Sequence, residues 1–162
     1  PFGAKKYKNW PVEHVISLVK TLHLKYNSEV ILFGGRKEMP VGAGIAGELK
    51  DGFIDLTGRT NIRETSALIK ICRLFISTDS GPMHLSQAVG TPTIALFGPT
   101  DPAIYGPRGE RHILIRKSLV CSPCKYYDCP DAQCMSLIMP DDVCKAVDEM
   151  LGKGWINLDR KI

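Results

Sequence analysis

The chain has 162 residues, of which 44% are hydrophobic and 23% charged, with a net charge of +4. That suffices for one domain with a real core, and it excludes a disordered tail. The Lys and Arg side chains are scattered and form no stripe, which excludes nucleic acid as the expected partner, and no apolar run approaches the roughly 20 residues that cross a bilayer.

In chain order, Pro11 opens a helical period of Val12, Val15, Ile16, Val19 and Leu22. Val30-Ile31-Leu32-Phe33, closed by Gly34-Gly35, reads as a buried parallel strand. Glu38 to Lys50 predicts a helix, although it contains Pro40, Gly42 and Gly44. Phe53 to Leu56 is a second strand. Asn61 to Lys70 is a helix with Asn61 and Glu64 spaced as a capping box. Leu74 to Ser77 is a third strand. Gly81 or Pro82 starts the next helix, which Gly90 ends. Thr93 to Phe97 is a fourth strand and His112 to Arg116 a fifth. Cys121 to Cys134 is a compact loop module, and Pro140 to Leu151 a last helix with Asp141 near its start. Short buried strands alternating with helices predict an α/β, Rossmann-like parallel sheet with helices on both faces.

The densest run of chemistry is Asp79-Ser80-Gly81-Pro82-Met83-His84, where a strand hands over to a helix. In open α/β sheets ligands bind outside the carboxyl ends of the strands, and a helix starting there offers N–H groups to an anion. Gly81 has no Cβ, so a phosphate can approach its backbone. Ser80 can cap the helix or donate its hydroxyl to a ligand. His84 lies one turn in and can donate to a diphosphate. Asp79 is electrostatically odd beside phosphate, and suits sugar hydroxyls or bracing the turn. Read as plain local structure, the same residues form an ordinary helix entry. Gly98-Pro99-Thr100 ends the next strand, and Thr100 adds either a hydroxyl to the crevice or a rigid surface turn.

These motifs, with Gly90-Thr91-Pro92 and Phe97-Gly98-Pro99-Thr100, resemble the signature of glycosyltransferase family 9, the lipopolysaccharide heptosyltransferases. The likeness extends through Lys8-Asn9-Trp10-Pro11, Leu32-Phe33-Gly34-Gly35 with Glu38, and Asp55-Leu56-Thr57-Gly58-Arg59-Thr60 into the Cys121 to Met135 segment. The resemblance implies a GT-B architecture, with residues 1–162 as the single C-terminal, donor-binding domain. It also implies a strand just ahead of Pro1, so the chain, which opens on the loop-like Pro1 to Ala4, reads as a fragment whose sheet lacks one strand.

By the same resemblance the activity is inverting transfer of heptose from ADP-heptose to the lipopolysaccharide inner core, with no cofactor required for catalysis. Lys8 is then expected on the donor phosphates and Glu38 on the ribose. Thr60 to Ile62 is expected near the adenine, Asp79 on heptose hydroxyls, and Ser80, Gly81 and His84 on the diphosphate. Taken alone, Lys8 reads as a solvated lysine and Glu38 as a helix-start acid. The catalytic base is expected in the absent acceptor domain, which also binds the lipopolysaccharide core. This half alone is therefore expected to be inactive. The expected location is cytoplasmic, at the inner face of the bacterial inner membrane. Two alternatives are a GT-B transferase using another nucleotide sugar, and a non-catalytic nucleotide-binding or metal-stabilised module.

Six cysteines occur, and Cys121, Cys124, Cys129 and Cys134 follow the spacing Cys-x2-Cys-x4-Cys-x4-Cys. Four thiolates can complete a tetrahedral structural Zn site. Disulfides, reduced thiols without metal, and an iron–sulfur cluster are the other readings. Cys72 and Cys144 are expected in the core.

Overall fold

The computed structural model describes residue 2, residues 6–124 and residues 129–158. The loop-like start at Pro1, Gly3 and Ala4 and the end of the tail lie outside the described residues. Five strands run β1 (Val30–Leu32), β2 (Phe53–Asp55), β3 (Phe75–Thr78), β4 (Thr93–Phe97) and β5 (His112–Arg116). Between and around them lie α1 (Val12–Tyr26), α2 (Met39–Glu48), α3 (Ile62–Ile71), α4 (Gly81–Ala88), α5 (Pro102–Tyr105), α6 (Gln133–Ser136) and α7 (Pro140–Gly152). Every strand pairing is parallel. The five strands and the helices α1, α2, α3, α4 and α7 are those the sequence predicts, to within a residue or two at most ends, whereas the one-turn helices α5 and α6 fall where it reads as loop.

The strands form two ladders, β1-β2 and β3-β4-β5, and not one continuous sheet. The ladders meet where the Phe33 ring packs 6.4 Å from that of Phe75. Within each ladder, strands that are neighbours in sequence are also neighbours in space.

Strand β4 shows why helices cover both faces. All five of its residues are buried. Ile94 and Leu96 point into the main core with Val15, Leu18 and Leu22 of α1 and Val143, Val147 and Met150 of α7. Ala95 and Phe97 point the other way, onto Met83 of α4. A strand buried on both faces must be apolar throughout, which is why Thr93-Ile94-Ala95-Leu96-Phe97 shows no alternation. The one hydroxyl there is absorbed, because Thr93 and Ser86 share a 2.8 Å hydrogen bond.

Helix ends follow local chemistry. The Asn61 side chain accepts from the N–H of Arg63 and Glu64, and Glu64 Oε2 accepts from Asn61 N at 2.8 Å. Pro40 falls in the first turn of α2, where a missing N–H costs nothing. The start of α7 is closed by Asp142, not Asp141, as Met139 N donates to Asp142 Oδ2 at 2.8 Å. Cys144 is buried in the core as expected, but Cys72 is only half-buried at the end of α3 and lies outside the core clusters. Among the described residues no helix is long and apolar enough to cross a membrane.

Candidate functional site

Within each ladder the strands are parallel, so their carboxyl ends share one edge of that ladder. Every candidate donor residue except Lys8 follows one of those ends: Glu38 after β1, Thr60 and Ile62 after β2, Asp79 to His84 after β3, and Thr100 after β4. Lys8 arrives from the front of the chain. A short 3-10 turn, Lys6–Lys8, leads into Trp10, which is 1% exposed and donates through Nε1 to Ile138 O at 2.8 Å. That anchor fixes where Lys8 can reach.

It reaches Asp79. Lys8 Nζ and Asp79 Oδ2 form a close ion pair across 71 residues of sequence, with side chains only 14% and 8% exposed. The ammonium neutralises the Asp79 carboxylate. A lysine ammonium has three donors, so the pairing leaves it further capacity for an anion. The two residues were expected to hold different parts of one ligand, and they also hold each other.

At the start of α4, Ser80 is the N-cap residue by backbone geometry but makes no side-chain cap bond. Its Oγ lies 2.9 Å from Ser77 Oγ. The capping expectation for the Ser80 hydroxyl is thus corrected, and the first N–H groups of α4 are not taken by that side chain. A Cβ at Gly81 would meet nothing within 4 Å, so the helix end is open. His84, one turn along, is exposed. Thr100 Oγ1 is buried with no hydrogen-bond partner, an unsatisfied hydroxyl at the end of β4.

On the β1-β2 side, Glu38 Oε2 accepts from Gly35 N at 2.7 Å and closes the turn after β1. Thr60 Oγ1 pairs with Thr65 Oγ1 at 2.9 Å, while Ile62 is 68% exposed. Glu38, Thr60 and Ile62 follow the carboxyl ends of β1 and β2, and none of them bonds directly to Asp79.

Some participants went unnoticed in the sequence. Ser77 orients Ser80. Asp55 Oδ1 accepts from Thr57 N at 2.9 Å, and Thr57 Oγ1 is buried without a partner. Gly42 of α2 faces them, since a Cβ there would come within 2.4 Å of Thr57 Oγ1 and 2.8 Å of the Asp55 carboxylate. A glycine inside a helical pattern was the available signal for that close approach.

The cysteine segment follows β5 and so lies on the carboxyl edge of the β3-β4-β5 ladder. It grips the turn after β4: Cys124 N donates to Pro99 O at 2.8 Å and Ser122 Oγ to Gly98 O at 2.5 Å. Gly98 has no room for a side chain, because a Cβ would meet Met135 Sδ at 2.5 Å and Cys134 Sγ at 2.9 Å. Burial pushes the Cys134 thiol up, and the charges of Cys124, Cys121 and Cys129 add to the effect. The six cysteines are not joined by disulfides. As placed, no three His, Cys, Asp or Glu side chains among the described residues converge to hold a metal ion.

Parallel strands, crossover helices and a crevice of helix N-termini and turns at the strand ends define a Rossmann-like α/β domain of the GT-B kind. The family model of glycosyltransferase family 9 (heptosyltransferase) matches residues 1–134, and the chain belongs to that family. It is 38% identical over 113 residues to lipooligosaccharide heptosyltransferase 2 of Haemophilus influenzae, covering 67% of this chain and 32% of that protein. It is 31% identical over 157 residues to lipooligosaccharide heptosyltransferase 2 of Campylobacter jejuni, covering 93% of this chain and 48% of that one. Its fold matches the structure of E. coli ADP-heptose lps heptosyltransferase II with a TM-score of 0.77 and 28% identity, over 91% of this chain and 43% of that chain. The chain therefore spans half or less of the length of these relatives.

Proposed function

We propose that this chain is the donor-binding half of a glycosyltransferase that moves heptose from ADP-heptose to the inner core of lipopolysaccharide, with inversion at the anomeric carbon. The observation that carries the reading is the Lys8–Asp79 pair at the open N-terminus of α4. An ADP leaving group develops negative charge on its diphosphate. Lys8, the positive end of the α4 dipole and an exposed His84 all lie where such charge can be stabilised. Asp79, held by Lys8, offers its second oxygen to sugar hydroxyls. Glu38 takes the ribose, Thr60 and Ile62 flank the adenine, and Thr100 adds its unsatisfied hydroxyl beside the diphosphate. The names of the relatives support heptose as the sugar and lipopolysaccharide as the acceptor.

Inversion is a single displacement. The acceptor oxygen attacks the anomeric carbon, its proton goes to a base, and the bond to the β-phosphate oxygen breaks to release ADP. We place that base outside this chain, on the acceptor-binding half. The work is on the cytoplasmic side, where nucleotide sugars are made, beside the inner membrane that carries the lipid acceptor.

Calorimetry on the full-length protein tests the reading. ADP and ADP-heptose should bind, and UDP-sugars should bind more weakly. If no ADP or UDP ligand binds, the function is wrong. If ADP binding survives Lys8→Ala combined with Glu38→Ala, the function stands and the residue roles fall.

A further inference from the structure

The stretch 117–132, between β5 and α6, contains no helix or strand among its described residues. Segments this long without secondary structure are uncommon in a compact domain unless something else orders them. This one carries the chain's only cluster of metal-ligating side chains in sequence. Cys121, Cys124, Cys129 and Cys134 all line one cavity of about 320 Å³, together with Tyr7 and Pro99. The four come from different parts of the loop and from the start of α6, yet they face one space.

The surroundings are those of a thiolate centre. Ala132 N donates to Cys129 Sγ at 3.3 Å, the kind of N–H···S bond that orients a ligating sulfur. Ala132 itself sits in the left-handed region at φ 40, an unfavourable conformation for a residue with a Cβ. Arg116 brings a guanidinium to the loop, with Nη2 3.2 Å from Ser122 Oγ and a buried Nε that has no partner. Such a cation offsets the negative charge that a tetrathiolate site carries.

We propose that Cys121, Cys124, Cys129 and Cys134 bind one Zn²⁺ as a tetrahedral structural site, and that the bound ion fixes the Gly98–Thr100 turn. The sulfurs do not yet converge, so binding draws the loop together, as is usual when metal binding and local folding are coupled. The ion forms four Zn–S bonds and the thiols release their protons to water, with no change of oxidation state. The turn is fixed because the same loop already holds it, through Cys124 N on Pro99 O and Ser122 Oγ on Gly98 O. The ion takes no part in sugar transfer.

The test uses full-length protein purified anaerobically. One equivalent of zinc is expected per chain, and of these six cysteines alkylation should label only the half-buried Cys72 until a chelator exposes Cys121, Cys124, Cys129 and Cys134, with the core residue Cys144 unlabelled throughout. Co²⁺ in place of Zn²⁺ should give the intense absorption of a tetrahedral tetrathiolate centre. Cys129→Ser should lose the metal, whereas Cys72→Ser and Cys144→Ser should keep it. If Cys129→Ser does not fold, the alkylation pattern of the unmodified chain decides. Labelling of Cys121, Cys124, Cys129 and Cys134 in metal-replete protein, disulfides in the anaerobic sample, an octahedral cobalt spectrum, or a bound iron chromophore would each overturn the site. Zinc uptake without slower amide exchange at Cys124 and Thr100 would overturn its action on the turn. ADP affinity is measured separately, so failure here leaves the proposed function untouched.

Discussion

A buried ion pair holds only while both members remain, and Lys8–Asp79 is nearly buried. Lys8→Ala therefore leaves the Asp79 carboxylate unpaired and, under the proposed function, also removes a donor to the ADP phosphates. ADP affinity in calorimetry should fall by about tenfold or more, the usual cost of losing a charge-assisted bond. Asp79→Asn should weaken ADP-heptose more than ADP, because the proposed function assigns the lost carboxylate to the sugar hydroxyls. At Gly98 the constraint is steric. Gly98→Ala drives a methyl into Met135 and Cys134 and should cost about 1–3 kcal/mol in urea unfolding. The residue types of this site could be read from the chain, but their partners could not. Nothing in local pattern says that Lys8 meets a residue 71 positions away, or that Ser80 turns to Ser77 instead of capping.

The helices owe their boundaries to short-range chemistry, and that is why they were legible. Asn61 with Glu64 is a reciprocal pair within four residues, and the sequence contains everything it needs. Asn61→Ala should lower the urea midpoint by the equivalent of about 1 kcal/mol with an unchanged slope. At α7 the choice between Asp141 and Asp142 depended on geometry that a spacing rule does not carry. Burial alone would raise the Asp142 carboxyl, but its bonds from Lys117 and Met139 N outweigh that and hold it below the usual carboxylate value. Lys25 and Tyr26 of α1 likewise lower Asp148 of α7. Both folded values lie below the unfolded one of about 3.9. Their contribution is therefore complete above the unfolded value and is lost as pH falls through the folded values. Asp142→Asn should flatten that acid limb in pH-dependent melting.

Across the whole molecule, hydrogen bonding and burial are uneven. β4 is paired on both sides and buried on both faces, so its amides should exchange only with global unfolding. Those of β1 and β2, in a two-stranded ladder with half-exposed residues, should exchange faster in the same experiment. The strands themselves were readable as apolar runs closed by glycine or proline. Which strand lies beside which was not, because periodicity reports the faces of a strand and says nothing of its neighbours. The division into two ladders also bears on how a nucleotide sugar would be held. Glu38, Thr60 and Ile62 ride on one ladder, and Asp79 to His84 with Thr100 on the other, with no main-chain bond between the ladders among the described residues. A nucleoside diphosphate would then work as a tether, its nucleoside on one half and its phosphates on the other. Joining the two groups in one molecule raises the effective concentration of the second once the first is seated. Adenosine and pyrophosphate supplied together should accordingly fall well short of the thermal stabilisation that ADP gives at the same concentration.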